Sequence, residues 1–256
     1  MLRPYPLPLV ALLTLVVLLL ASCGGTDAQL DTREPWDLVF ISDSRGFGVA
    51  QAWTDLIEET EGVEVRVHDH ATGGLSLVQV RDRFSDDDEF RAEVADAEII
   101  FAFGAPVGSG PDDMGTCANA LKQRRDPPEH NTPADWAPFG DVLRDILDVV
   151  LELRAGQPTV VRVADEFAAP IADWREAGIE AECTTGWEAH AGVVHEIADE
   201  YGTAAASWYD AFNGVDHDQD PREKDLIASD GWHQSPEGVA AQAEVLHALG
   251  YNPIVP

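Results

Sequence analysis

Short apolar runs separated by helix-period segments constrain the fold of this chain more than any other feature. "DLVFIS" (37 to 42), "VEVRVHD" (63 to 69), "EIIFAF" (98 to 103) and "TVVRVA" (159 to 164) read as strands. Runs as apolar as 98 to 103 are covered on both faces. Helical patterns lie between them: 48 to 60, about 89 to 96, and Asp135 to Arg154, where Val142, Leu143, Ile146, Leu147, Val150 and Leu153 share one face. Gly156 and Pro158 stop that last helix. A helix over 187 to 202, a last strand within "TAAASWYDAF" (203 to 212) and a helix from about Pro236 to Leu249 complete the series. The βαβ rhythm predicts an α/β fold, a parallel sheet of about five strands between two helical layers, with right-handed crossovers.

In such sheets the chemistry collects beyond the carboxyl ends of the strands. The irregular stretch from 104 to 134, rich in Gly, Pro and charge, is a long insertion at one such end, where long loops tend to be functional. The amino-terminal segment is not part of this pattern. Arg3 precedes a nearly unbroken apolar stretch from Leu7 to Leu20, shorter than a spanning helix needs, and Leu20-Ala21-Ser22-Cys23 closes it. Residues 1 to 22 therefore read as a secretory signal; the small residues before Cys23 resemble a bacterial lipoprotein lipobox, which implies a lipoprotein signal peptide cleaved before Cys23 and acylation of its thiol, with an ordinary secretory peptide or membrane anchor as the alternative. Residues 23 to 35 form a polar tether without apolar periodicity, and residues 36 to 256 form one domain. This organisation predicts export and a lipid anchor on the outer face of a bacterial membrane.

With Cys23 set aside, Cys117 and Cys183 remain, and in an oxidising compartment they can pair; two buried free thiols are the alternative. The balance of 47 acidic against 16 basic residues, a net charge of -31, disfavours nucleic acid and anionic headgroups as partners.

Ser44 follows the first strand and precedes a helical pattern, a position that suits a nucleophile and equally suits a helix cap. A serine hydroxyl needs a base, and the base needs an orienting acid. Asp230 and His233, three residues apart in "SDGWHQSPEG" (229 to 238), can meet within one turn, just ahead of a helix capped by Ser235 and begun by Pro236.

These segments resemble the SGNH (GDSL-type) hydrolases over most of 36 to 250. "ISDSRGFG" resembles the first block of that family, with Ser42 in place of its glycine and Ser44 in the nucleophile position. "HATGGLS" (70 to 76) resembles the second, with Gly74 as the glycine whose N–H faces the oxyanion. Asp230 and His233 match the last block, D-x-x-H. The resemblance implies a flavodoxin-like three-layer sandwich and a serine esterase: nucleophile Ser44, base His233, acid Asp230, oxyanion donors Ser44 and Gly74, and no metal or organic cofactor. Its substrate would be a small ester, an acylated glycan or a lipid, with Phe47, Trp232 and the region of Met114 as candidate walls.

The third block departs. Gly104-Ala105-Pro106 stands where the family carries an asparagine, and neither Ala105 nor Pro106 can donate from its side chain. Losing one such donor elsewhere costs about 100- to 1000-fold in turnover. Asn119 of the insertion is a candidate replacement. A non-catalytic surface binding lipoprotein on the same scaffold is the alternative reading, and a metal-dependent hydrolase using His68, His70 and the "DHD" of 216 to 218 is another.

Overall fold

A computed structural model describes residues 34–106, Cys117 and residues 132–254. These fall in one compact unit, Glu34–Pro256. The segment read as a signal peptide, nearly all of the segment read as a tether, Cys23 included, and Met114 and Asn119 lie outside the described residues.

The strands are β1 (Trp36–Ile41), β2 (Val65–Asp69), β3 (Ile99–Ala102), β4 (Val160–Ala164) and β5 (Ala204–Ala206). They form one five-stranded sheet in the order β2-β1-β3-β4-β5, and every pairing is parallel. This is the doubly wound flavodoxin-like order, whose crossovers change sides between β1 and β3 and so open a crevice at the carboxyl end of β1. The helices are α1 (Val49–Glu61), α2 (Leu77–Asp86), α3 (Asp88–Asp96), α4 (Ala137–Leu153), α5 (Ile171–Ala177), α6 (Glu180–Glu200), α7 (Trp208–Asn213) and α8 (Pro236–Ala248).

Alternate residues of each strand feed opposite layers, as the two-residue period of a strand requires. Val39, Ile41 and Ile100 pack with Phe84 of α2, Phe90 of α3, Ile146 of α4 and Val194 of α6. Leu38, Phe40 and Phe101 pack with Trp53 and Ile57 of α1, Phe212 of α7 and Leu246 of α8. The sandwich predicted from apolar runs is therefore present. Among the described residues no helix is long and apolar enough to cross a membrane.

Three local expectations are corrected. Residues 203 to 212 are not one strand: β5 ends at Ala206, and the Ser207 side chain accepts from the Asp210 N–H to start α7. Two helices escape the apolar pattern, α2 and α5, and α6 begins at Glu180 rather than 187. The helix read from Asp135 opens instead as a 3-10 turn, Pro133–Trp136, before α4. The Cys117–Cys183 disulfide is formed, tying residue 117 in the insertion to buried Cys183 on α6 across 66 residues.

Candidate active site

At the end of β1 the chain turns through a short 3-10 segment, Ser44–Gly46, before α1 begins. The cap is Asp43, whose Oδ1 accepts the Arg45 N–H at 2.8 Å, so Ser44 is not the capping residue and its hydroxyl is free for other work. Gly48 takes a left-handed φ of 82° to redirect the chain into α1, which glycine does without steric penalty.

Beside this turn, the segments that follow β2 and β3 are fastened to it by backbone bonds. Thr72 N donates to Ser42 O at 2.9 Å, Phe103 N to Ile41 O at 3.0 Å, and Ala105 N to Leu75 O at 2.9 Å. Gly74 is exposed in the turn closed by Leu75 N to Thr72 O, with φ 73°, and its N–H has no partner among the described residues. Gly104 is required by close approach, since a Cβ there would lie 2.9 Å from Leu77 N. The Phe47 ring spans from the serine turn to the glycine turn, 3.9 Å from where a Gly73 Cβ would sit.

The other half of the site comes from the opposite end of the domain. Ile227 and Gln234 form an antiparallel bridge, Ala228 N donates to His233 O, and Gly231 at φ 77° makes the reversal. Asp230 Oδ1 accepts from Trp232 N at 2.8 Å and His233 N at 3.0 Å, while Oδ2 lies 2.7 Å from His233 Nδ1. The His233 N–H first, then the Trp232 N–H and the imidazole, hold the Asp230 carboxyl down at about 2. An ionised carboxylate only accepts, so Nδ1 carries the proton and Nε2 of the neutral ring is an acceptor. Nε2 lies 3.1 Å from Ser44 Oγ, within hydrogen-bond reach. Residues 189 apart in sequence thus meet at the carboxyl end of the sheet.

Solved structures of similar shape share this architecture. A lipase from a goat rumen metagenome superposes with a TM-score of 0.66 at 18% identity, over 85% of this chain and 99% of that one. A protein from Parabacteroides merdae assigned as a GDSL-like lipase gives 0.59 at 13% identity, over 86% and 97%. The fold is that of the SGNH hydrolases. An acetyl xylan esterase from Geobacillus stearothermophilus gives a TM-score of 0.56 at 16% identity, over 84% of this chain and 95% of that chain. No protein-family model matches the sequence. No curated protein matches it either.

Against the SGNH pattern, the departure at Ser42 buries a hydroxyl that has no hydrogen-bond partner among the described residues. Its side chain is fully buried and fills the space over Gly46. At the third block the backbone itself offers no replacement donor, because the Ala105 N–H is committed to Leu75 O and Pro106 has no N–H.

Of the residues beside the serine turn, Phe47 and Trp232 are the walls expected from the sequence, whereas Arg45 carries no signal in the sequence pattern. Arg45, next to Ser44, forms an ion pair with buried Glu166, and its guanidinium carbon lies 5.3 Å from the Trp232 ring centroid. Trp232 is half-buried against that cation, and Phe47 is exposed beside the serine turn. The histidines considered as metal ligands have other partners. His70 Nε2 pairs with Glu93 at 2.6 Å, His68 Nδ1 with the other oxygen of Glu93 at 3.3 Å, and His217 Nε2 with Asp210 at 2.9 Å. Among the described residues no group of three or more His, Cys, Asp and Glu is arranged to hold a metal ion.

Proposed function

We propose that this protein is a serine esterase that hydrolyses carboxylic esters through an acyl-enzyme. The observation that carries this reading is the chain of contacts from Asp230 Oδ2 to His233 Nδ1 at 2.7 Å and from His233 Nε2 to Ser44 Oγ at 3.1 Å. Ser44 Oγ bonds to the ester carbonyl carbon while its proton passes to His233 Nε2. The oxyanion is stabilised by the Ser44 and Gly74 N–H groups. Collapse breaks the bond to the alkoxide, which leaves as the alcohol with the proton from His233. Water then gives a proton to the same nitrogen and attacks the acyl carbon, and Ser44 departs reprotonated. Asp230 keeps the imidazole in the accepting tautomer and stabilises its cation. No step calls on a metal or an organic cofactor.

The substrate belongs to the class of small esters, acylated glycans or lipids, and the acidic surface favours neutral over anionic forms. Acylation at Cys23 would hold the domain at the outer face of a bacterial membrane by its tether. A second reading, a binding lipoprotein that has kept the scaffold without turnover, is favoured by the one donor that Ala105 and Pro106 do not supply.

Hydrolysis of p-nitrophenyl acetate by the native protein, Ser44→Ala and His233→Ala, each with and without a chelator, tests the proposal. Turnover lost in both variants and indifferent to the chelator supports it. Equal turnover in native protein and variants would overturn it, and no turnover in the native protein would favour the binding reading.

A further inference from the structure

The serine turn and the histidine loop meet through more than their catalytic side chains. Gln234, directly after His233, sends its side-chain Nε2 across to the serine turn, where it donates to Ser44 O at 3.2 Å and Phe47 O at 3.1 Å. These are the two ends of the turn, itself closed by Phe47 N donating to Ser44 O at 3.3 Å. The amide orientation follows from the chemistry: turned over, Oε1 would face two carbonyl oxygens. As it stands, Oε1 is buried and has no partner among the described residues, so the donor side alone fixes this side chain.

Gln234 is itself fixed. It is 9% exposed, its backbone pairs with Ile227, and the next residue donates from Ser235 N to Leu226 O at 2.9 Å before capping α8. Eight residues further on, within α8, fully buried Gln242 adds a parallel tether, donating to Arg45 O at 3.0 Å. Both amides come from the segment that carries His233, and both grip carbonyls within the turn that carries Ser44.

We infer that Gln234 is a positioning residue: its amide clamps both ends of the serine turn to the histidine loop and so sets the distance and direction from Ser44 Oγ to His233 Nε2. The inference rests on the serine-esterase reading above. The contact it governs is made by groups on separate elements, both at the surface of the crevice, and the His233 side chain is 41% exposed, so little packing holds it. A proton transfer tolerates small errors in such a contact poorly, and a displacement of about 1 Å can cost on the order of 100-fold in rate.

The test compares native protein, Ser44→Ala, Gln234→Met and Gln242→Met in the full folded domain. Gln234→Met keeps the length and volume of the side chain and removes both donors. A fluorophosphonate measures labelling stoichiometry and rate, an aryl acetate gives kcat and KM, and thermal melting reports folding. The clamp predicts full stoichiometry for Gln234→Met, a labelling rate and a kcat both lower by about 10- to 100-fold, and a KM within about twofold of native. Gln242→Met moves the same two quantities in the same direction by less. A labelling rate and kcat per labelled site equal to native would overturn the inference, including the case where the melting temperature falls and fewer sites label, since that is what a merely structural role does. If Gln234→Met does not fold, Gln234→Asn, which keeps the donors but draws them back by a methylene, is read by the same criteria. Failure of the esterase reading shows earlier and differently: native protein that takes no more label than Ser44→Ala overturns both.

Discussion

The side chain of Ser42 occupies the space that any side chain at residue 46 would need. A Cβ built on Gly46 lies 2.1 Å from Ser42 Oγ and 2.4 Å from Ser42 Cβ. Gly46 belongs to the serine turn and Ser42 directly precedes its cap, Asp43, so the two set the local backbone together. Gly46→Ala is expected to displace Ser44 and lower kcat by about 100-fold or more. Ser42→Gly/Gly46→Ala should recover part of that loss, and only part, because the Phe40 ring also stands 2.9 Å from the added carbon. A double-mutant cycle on kcat reads the coupling directly. Additive losses would mean that the two positions act separately.

Asp230 is ionised throughout the working range, with its carboxyl held at about 2 chiefly by the His233 and Trp232 N–H groups. Asp230→Asn can leave the loop in place yet favours the wrong imidazole tautomer, and comparable changes in triads lower kcat by about 10⁴-fold. The expected result is a loss of that order in kcat with only a small fall in melting temperature at neutral pH. The depressed pKa also fixes a sign: this carboxylate contributes stability above its ordinary pKa and loses it as pH falls through about 2. Because the side chain is half exposed, that contribution is small.

Acid sensitivity should come from elsewhere in the domain. His190 is buried on α6 against Trp136 and Phe139, and burial, with Arg45 and His195 nearby, pushes its pKa down to about 3. Below the ordinary histidine value the unfolded chain takes up a proton that the folded one refuses, so stability declines as pH falls from about 6.5 toward about 3. His190→Phe should therefore flatten the dependence of melting temperature on pH between about pH 6 and about pH 4. Parallel curves for the two proteins would show that His190 is not the sensitive group.

His195 has the opposite sign. Its Nε2 lies 2.9 Å from buried Asp165, which also accepts from the Tyr209 N–H and the Ser207 hydroxyl at the start of α7. The hydrogen bond to Asp165 raises the His195 pKa. Its contribution is complete below the ordinary histidine value and is lost as pH rises through the folded value. His195→Gln should lower the melting temperature more at about pH 6 than at about pH 9. A difference that grows with pH would contradict this assignment.

How much of this was legible depends on where the information sits. The strands were, because "DLVFIS", "EIIFAF" and "TVVRVA" are apolar enough that only a sheet covered on both faces can hold them. The meeting of Ser44, Asp230 and His233 was, because each has a local signature. The run from 203 to 212 was not: Trp208, Tyr209 and Phe212 favour strands locally, whereas the Ser207 cap and the distant Asp165, which takes the Tyr209 N–H, bend it into α7. Helix α2 hides its start in a capping box, Ser76 with Gln79, that outweighs a weakly apolar interior. The role of Gln234 had no signal at all, since a glutamine becomes informative only when its partners, 190 and 187 residues away, are known.

The central claim is that the hydroxyl of Ser44 and the imidazole of His233 work as a pair. The most direct test is mass-spectrometric mapping of a fluorophosphonate adduct on native protein and on His233→Ala. The account predicts a single adduct on Ser44 in the native protein and labelling slowed by at least about 100-fold in the variant. An adduct on another residue, or equal labelling of both proteins, would contradict it.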